Sequence, residues 1–252
     1  MDMPLRGKVA LVTGAGRNIG RAIALALADA GASIAVNVRA SRDEGEAVVS
    51  EIAARGGTAL LVVADVTDRG QVDAMIAAID ERFGRLDILV NNAAIRREAA
   101  FADLSYDDWR AAQAVCVDGA FHCTQAALPL LKASGEGSVV NIGGMTAYTG
   151  ASMRAHVVTA KAALGGFTRA LAHELAPHGI TVNCVSPGLV DTTRLRSSAS
   201  ANPAHHAEHK PLVGRRGRPD EIASAVVWLA GPGARFATGQ TLHVNGGAYL
   251  GG

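Results

Sequence analysis

The chain has 252 residues, 49% of them hydrophobic and 4% aromatic, with 24 basic and 23 acidic side chains for a formal charge of +1. A chain of that size can bury a core that needs no staples. Its balanced charge gives no electrostatic reason to bind nucleic acid or an anionic membrane surface. Cys116, Cys123 and Cys184 form no close C-x-x-C pair, which argues against a disulfide framework or a zinc knuckle and for buried free thiols in a reducing compartment.

The first predicted element is the apolar strand "KVALVT" (8–13). Gly14 interrupts this run too early for a signal peptide, and no stretch approaches the roughly 18 apolar residues of a membrane span, so a cytoplasmic protein is expected. Further strands are predicted at 33–38, 58–63, 86–90, 137–142, 180–185 and 241–244. Ala-rich amphipathic helices are predicted near 18–30, 42–55, 68–83, 105–131, 155–176 and 219–230. The early strands are apolar almost throughout, as strands covered on both faces must be. The alternation predicts one α/β domain over 1–252: a Rossmann-type, doubly wound parallel sheet of seven strands with helices on both faces. The polar stretch 191–218 reads as a cover over a site. Within it, His205 and His209 are four apart, but no third ligand lies at a telling distance, so no metal site is expected.

"VTGAGRNIGRAIALALADAGA" runs from the first strand into the first helix. Gly14 and Gly20 flank a tight turn, with Arg17, Asn18 and Ile19 between them. The helix start offers free N–H groups to a pyrophosphate. Asn18 is among the few non-glycine residues that tolerate a left-handed backbone in such a turn. An acid at the end of the second strand would mark NAD; Val38 stands there instead. With Arg39 next in the chain and Arg17 in the turn, two guanidiniums can meet a 2′-phosphate, which favours NADP(H) over NAD(H).

"TGAGRNIG", "ADVTD", "NNAA", "SPGLVDT" and "GQTLHVNGG" occur in an order and spacing that resemble the classical short-chain dehydrogenase/reductase family, from Gly7 to Gly247. The resemblance implies that Asp65 and Val66 hold the adenine, and that Asn91 and Ala93 flank the cofactor near its adenosine ribose. It further implies that Pro187, Gly188, Val190 and Thr192 line the nicotinamide. A small-molecule substrate follows from it, as does a homotetramer or homodimer with the long fourth and fifth helices, near 105–131 and 155–176, at the interface.

Ala94 replaces the last glycine of the family's "NNAG". In that family a Ser–Tyr–Lys set helped by an Asn handles the proton, and here only Lys161 matches. Val157 occupies the tyrosine position, Gly144 the serine position and Cys116 the asparagine position. Losing a positioned acid costs about 10²–10⁴ in rate, so ordinary ketone reduction should be crippled. Candidate replacements are Tyr148 and Thr146, in the loop after the fifth strand, and His156. On a regular helix His156 lies about 140° away from the Lys161 face, so a satisfied structural histidine is expected there. Lys161 retains a role in any case, because in the family its ammonium also binds the nicotinamide ribose.

Three readings follow: an atypical NADP(H)-linked oxidoreductase acting on a small organic substrate, a non-catalytic nucleotide-binding protein, or a non-redox enzyme using the old cleft. The first is favoured because "PGLVDT" is intact. Fold alone does not choose among them.

Overall fold

The computed structural model describes residues 3–192 and 209–251. The elements alternate: β1 (Val9–Val12), α1 (Asn18–Asp29), β2 (Ser33–Val38), α2 (Arg42–Ala54), β3 (Ala59–Val63), α3 (Arg69–Phe83) and β4 (Ile88–Asn91). They continue as α4 (Tyr106–Gln113), α5 (Gly119–Ala133), β5 (Ser138–Ile142), α6 (Thr146–Thr149) and α7 (Ala155–Leu175). The last are β6 (Thr181–Pro187), α8 (Pro219–Ala230) and β7 (Thr241–Val244). The strands form one sheet in the order β3-β2-β1-β4-β5-β6-β7, and every neighbouring pair is parallel. The predicted doubly wound fold is therefore the observed one.

Period-two alternation sends strand side chains into two cores. Ala10, Val12, Ile34, Val36, Val90 and Val140 pack under α1, α2 and α8. Val9, Leu11, Ala35, Leu89, Val139 and Val182 pack on the opposite face under α3, α5 and α7. Helix boundaries follow local chemistry. Asp68 caps α3 by accepting from the Gln71 N–H at 3.1 Å, and Gly84 ends it at φ 67°. Pro219 opens α8, and Glu221 reaches back to accept from the Arg218 N–H at 2.7 Å.

The helix expected at 105–131 runs without a break from Tyr106 to Ala133, but a π turn over Ala114–Asp118 joins α4 to α5 and carries buried Cys116. The composite run Tyr106–Ala133 has 28 residues and a mean hydropathy of 1.2 over its most apolar window, a length and composition that a core helix shares with a membrane span. Its Ala120, Cys123, Ala127 and Leu131 are buried inside this protein, as in a core helix.

Strand order reverses between β1 and β4, which opens a crevice at the carboxyl ends of the strands. The segments leading into and out of 193–208 are pinned together at this edge. The Gly217 N–H donates to Leu189 and the Asp191 N–H donates to Gly217, both at 2.9 Å. Residues 193–208, most of the expected cover and with it His205, lie outside the described residues.

Candidate active site

A cleft of about 560 Å³ runs along the β1–α1 turn and the ends of β2 and β4. Its floor requires glycine. A Cβ on Gly20 would lie 2.3 Å from the Gly14 carbonyl oxygen and 2.5 Å from Asn92 Nδ2. Gly14 has φ 62°, and Asn18 adopts the left-handed φ of 50° expected of it. No acidic side chain occupies the first turn of α1, whose Asn18, Ile19 and Gly20 line the cleft at the positive end of the helix. The cradle thus fits a dinucleotide pyrophosphate.

Arg17, Asn18, Ile19, Arg39, Asp65, Val66 and Ala93 all line this cleft, and Val38 ends β2 without a carboxylate. Ser41 and Glu44, which sequence reasoning missed, line it too, and Glu44 lies 3.5 Å from Arg17. Asp65 is held in place by accepting from the Thr67 N–H at 2.9 Å and the Thr67 hydroxyl at 2.8 Å. Asn37 is a second missed residue. From inside β2 it accepts the Gly14 N–H at 3.2 Å and donates to the Ala64 carbonyl at 3.1 Å, tying the turn to β3.

Asn91 corrects the sequence reading. Its amide donates to Asn141 Oδ1 at 2.9 Å and to the Thr124 hydroxyl at 3.1 Å, inside the core. The side chain is buried between β4 and β5, and the neighbouring Asn92 faces the cleft instead. Asn92 donates to the carbonyls of Thr13 at 2.8 Å and Gly14 at 3.0 Å, which fixes the turn from below.

A second cavity of about 120 Å³ adjoins the first, with Ile19, Asn92, Ala94, Arg96 and Thr192 in both walls. Pro187, Gly188 and Val190 line it as expected. Gly188 admits no side chain, because a Cβ would meet Asn245 at 2.7 Å. The same cavity brings together Lys161, Val157 and Gly144, the positions that the family resemblance assigns to proton transfer. Lys161 Nζ donates to the carbonyl of Ile142 at 2.5 Å. Burial holds its ammonium below the ordinary lysine pKa; the Cys116 thiol opposes this and the Arg96 guanidinium adds to it.

Of the candidate replacements, only Thr146 reaches the cavity. Tyr148 turns away: its hydroxyl donates to the Thr241 hydroxyl at 3.1 Å, and its ring meets His243 edge-on at 4.6 Å and stacks near Tyr249. His156 is buried off the cavity, as the helix rotation implied, but it is not satisfied, which corrects the expectation. Neither ring nitrogen has a side-chain partner, and the Arg97 backbone lies close enough to favour its protonated form. Burial pushes its pKa down, with Asp108 opposing and Arg154 adding to the effect. Arg154 and Arg216 also line the cavity, and no motif flagged them.

The family model described as Enoyl-(Acyl carrier protein) reductase matches residues 14–249. Curated relatives include a 3-oxoacyl-(acyl-carrier-protein) reductase from Synechocystis, 40% identical over 98% of both chains. Another of the same name, from Staphylococcus aureus, is 39% identical over 96% of this chain and 98% of its own. Among solved structures, a dehydrogenase/reductase from Sinorhizobium meliloti superposes with a TM-score of 0.91 at 37% identity, covering 99% of this chain and 98% of that one. A short-chain dehydrogenase from Burkholderia cenocepacia, solved in complex with NADP, gives 0.89 at 38% identity over 97% and 99%. The chain belongs to the short-chain dehydrogenase/reductase family of oxidoreductases.

Proposed function

We propose that the chain is an NADP(H)-linked oxidoreductase that moves hydride to or from a small organic substrate without the family's serine and tyrosine. One observation carries this reading: the cavity beside the cofactor cleft joins Lys161 to Gly144 and Val157, which bear no exchangeable side-chain proton. The Burkholderia neighbour's bound NADP supports the cofactor choice. So does the pair Arg17 and Arg39 beside Val38, where β2 itself ends without an acid, with Glu44 paired to Arg17 across the cleft.

When bound, the dinucleotide supplies or accepts the hydride. The chain's residues do the rest. Gly14, Gly20 and the α1 N–H groups hold the pyrophosphate, while Arg17 and Arg39 take the 2′-phosphate. Asp65 and Val66 seat the adenine, and Pro187, Gly188, Val190 and Thr192 wall the reacting ring. Lys161 would bind the ribose, and its ammonium is a titratable donor in the cavity wall. Its lowered pKa makes it a better acid than an ordinary lysine. The Thr146 hydroxyl is placed to hold a substrate oxygen. A conjugated alkene or an imine demands less of the acid than a ketone does, so such acceptors suit this cleft. The long helices α5 and α7 form the oligomer interface, a reading supported by the exposed small residues Ala162, Ala163 and Gly166 on α7.

The test is NADPH oxidation against a panel of ketones, imines and enones. Turnover with imines or enones and little with ketones is expected. Tight NADPH binding with no turnover on any acceptor would make the chain a nucleotide-binding pseudoenzyme.

A further inference from the structure

The acid missing from the end of β2 arrives from α2. Val38 closes β2 where an acid that reads the adenosine ribose would stand. Glu44, in the first turn of α2, lines the dinucleotide cleft. A Cβ on Gly16 would lie 3.2 Å from Glu44 Oε2 and 3.1 Å from Val38 Cγ1. The carboxylate therefore rests on the glycine turn, beside the side chain that stands in for the usual acid. Gly45 permits this approach. A Cβ there would overlap Leu61 Cδ1 and lie 3.3 Å from Val38, so glycine lets α2 settle low on β2 and β3.

Glu44 already has a partner in the cleft. Its Oε1 lies 3.5 Å from Arg17 Nη1, and both side chains are nearly half exposed. That distance is longer than a tight charge-assisted bond, and exposed pairs contribute little to stability, so the pair opens readily. A simpler account makes Glu44 an acid at the positive start of a helix. Asp43 serves that purpose equally well. It stands in the same first turn, exposed, and does not line the cleft. Glu44 alone combines the helix position with contact against Gly16 and Arg17.

We propose that Glu44 sets the nucleotide preference, and that the cleft takes both NAD(H) and NADP(H). With NAD(H), the ribose hydroxyls donate to the Glu44 carboxylate while Arg17 steadies it. With NADP(H), the 2′-phosphate draws Arg17 away from Glu44, and Arg39 completes the grip. Arg17 thus exchanges one acidic partner for another. The phosphate then sits beside a carboxylate, and like charges repel. Glu44 therefore narrows the selectivity that two arginines alone would give. This rests on the oxidoreductase reading, because it assigns the cofactor selectivity of that same site.

The test uses the full chain and measures dissociation constants for NADH and NADPH by nucleotide fluorescence. Wild type should bind both. Glu44→Gln should weaken NADH by about tenfold and tighten NADPH by about threefold. Asp43→Asn removes the same charge from the same turn and should leave the ratio of the two constants unchanged. Thermal melts check that each variant folds. Should Glu44→Gln fail to fold, Glu44→Asp takes its place, because the shorter side chain draws the carboxylate back from the turn and should also weaken NADH. Calorimetry with adenosine 5′-monophosphate and adenosine 2′,5′-bisphosphate repeats the comparison without the nicotinamide. There Glu44→Gln should weaken the first and tighten the second. Wild type that binds NADPH but no NADH would overturn the proposal. So would a Glu44→Gln ratio equal to that of wild type, or an equal shift from Asp43→Asn. Binding of neither dinucleotide would instead remove the parent reading, and the two adenosine phosphates would still decide for or against Glu44.

Discussion

Restoring the two missing side chains tests whether the reacting end lacks only its proton machinery. Gly144→Ser is sterically free, because a Cβ there meets nothing closer than Lys161 Cγ at 3.9 Å. Val157 lines the same cavity four residues before Lys161 on α7, a rotation that leaves it within about 40° of the lysine face. A tyrosine there would present its hydroxyl beside the ammonium, which favours phenolate and lowers the phenol pKa. Val157 is buried, so the larger ring costs about 1–3 kcal/mol of stability, reduced where it enters the open cavity. A positioned acid is worth about 10²–10⁴ and an oxyanion donor about 10²–10³. Groups acting as a unit do not multiply, so we expect a gain of roughly 10³-fold in ketone reduction by the double variant, with either single variant well below it. The assay is loss of NADPH absorbance with a small β-keto ester, alongside a thermal melt and an NADPH titration. A folded, NADPH-binding double variant with no gain would refute the reasoning. So would a wild type that already reduces simple ketones at ordinary enzyme rates.

Arg39→Asp should weaken NADPH by about 10–100-fold and leave NADH unchanged or better bound, measured by nucleotide fluorescence. Lys161→Arg keeps a cation but cannot release its proton. It should retain NADPH binding while kcat falls by about 10²-fold or more, and the fall in wild-type reduction rate as pH rises toward 10.5 should disappear. His156→Leu removes a buried ring that has no side-chain hydrogen-bond partner and should stabilise the chain by up to about 1 kcal/mol in urea melts at neutral pH. Because the folded pKa of His156 lies below 6.5, the unfolded chain binds more protons just under that value. Wild-type stability should therefore drop on acidification through 6.5, and the variant should lose that contribution.

The sheet was legible because its strands are short, β-branched and apolar on both faces, a pattern with few alternative folds. The cofactor cradle was legible because glycine, and asparagine in the left-handed region, answer one local demand that sequence shows directly. Asn91 was misread because one residue of register decides which of two adjacent asparagines faces the core. The π turn at Cys116 was invisible, since the run keeps helical composition throughout. Arg154 and Arg216 escaped because they reach the cavity from two separate segments, one after a strained Met153 and one beyond the strand that carries "PGLV". No short motif reports a convergence of that kind.

The retained lysine carries a cost of its own. Burial and Arg96 disfavour the Lys161 ammonium, while the Cys116 thiol at the π turn and Cys184 on β6 oppose them. A lysine whose folded pKa lies below its ordinary value binds protons more readily in the unfolded chain, so it subtracts stability at neutral pH and the loss shrinks as pH rises toward 10.5. Lys161→Met should therefore stabilise the chain in urea melts at neutral pH while weakening NADPH, because the same ammonium serves the ribose. A variant no more stable than wild type at neutral pH, in a chain that still folds, would mean that the surroundings of Lys161 compensate its charge in full.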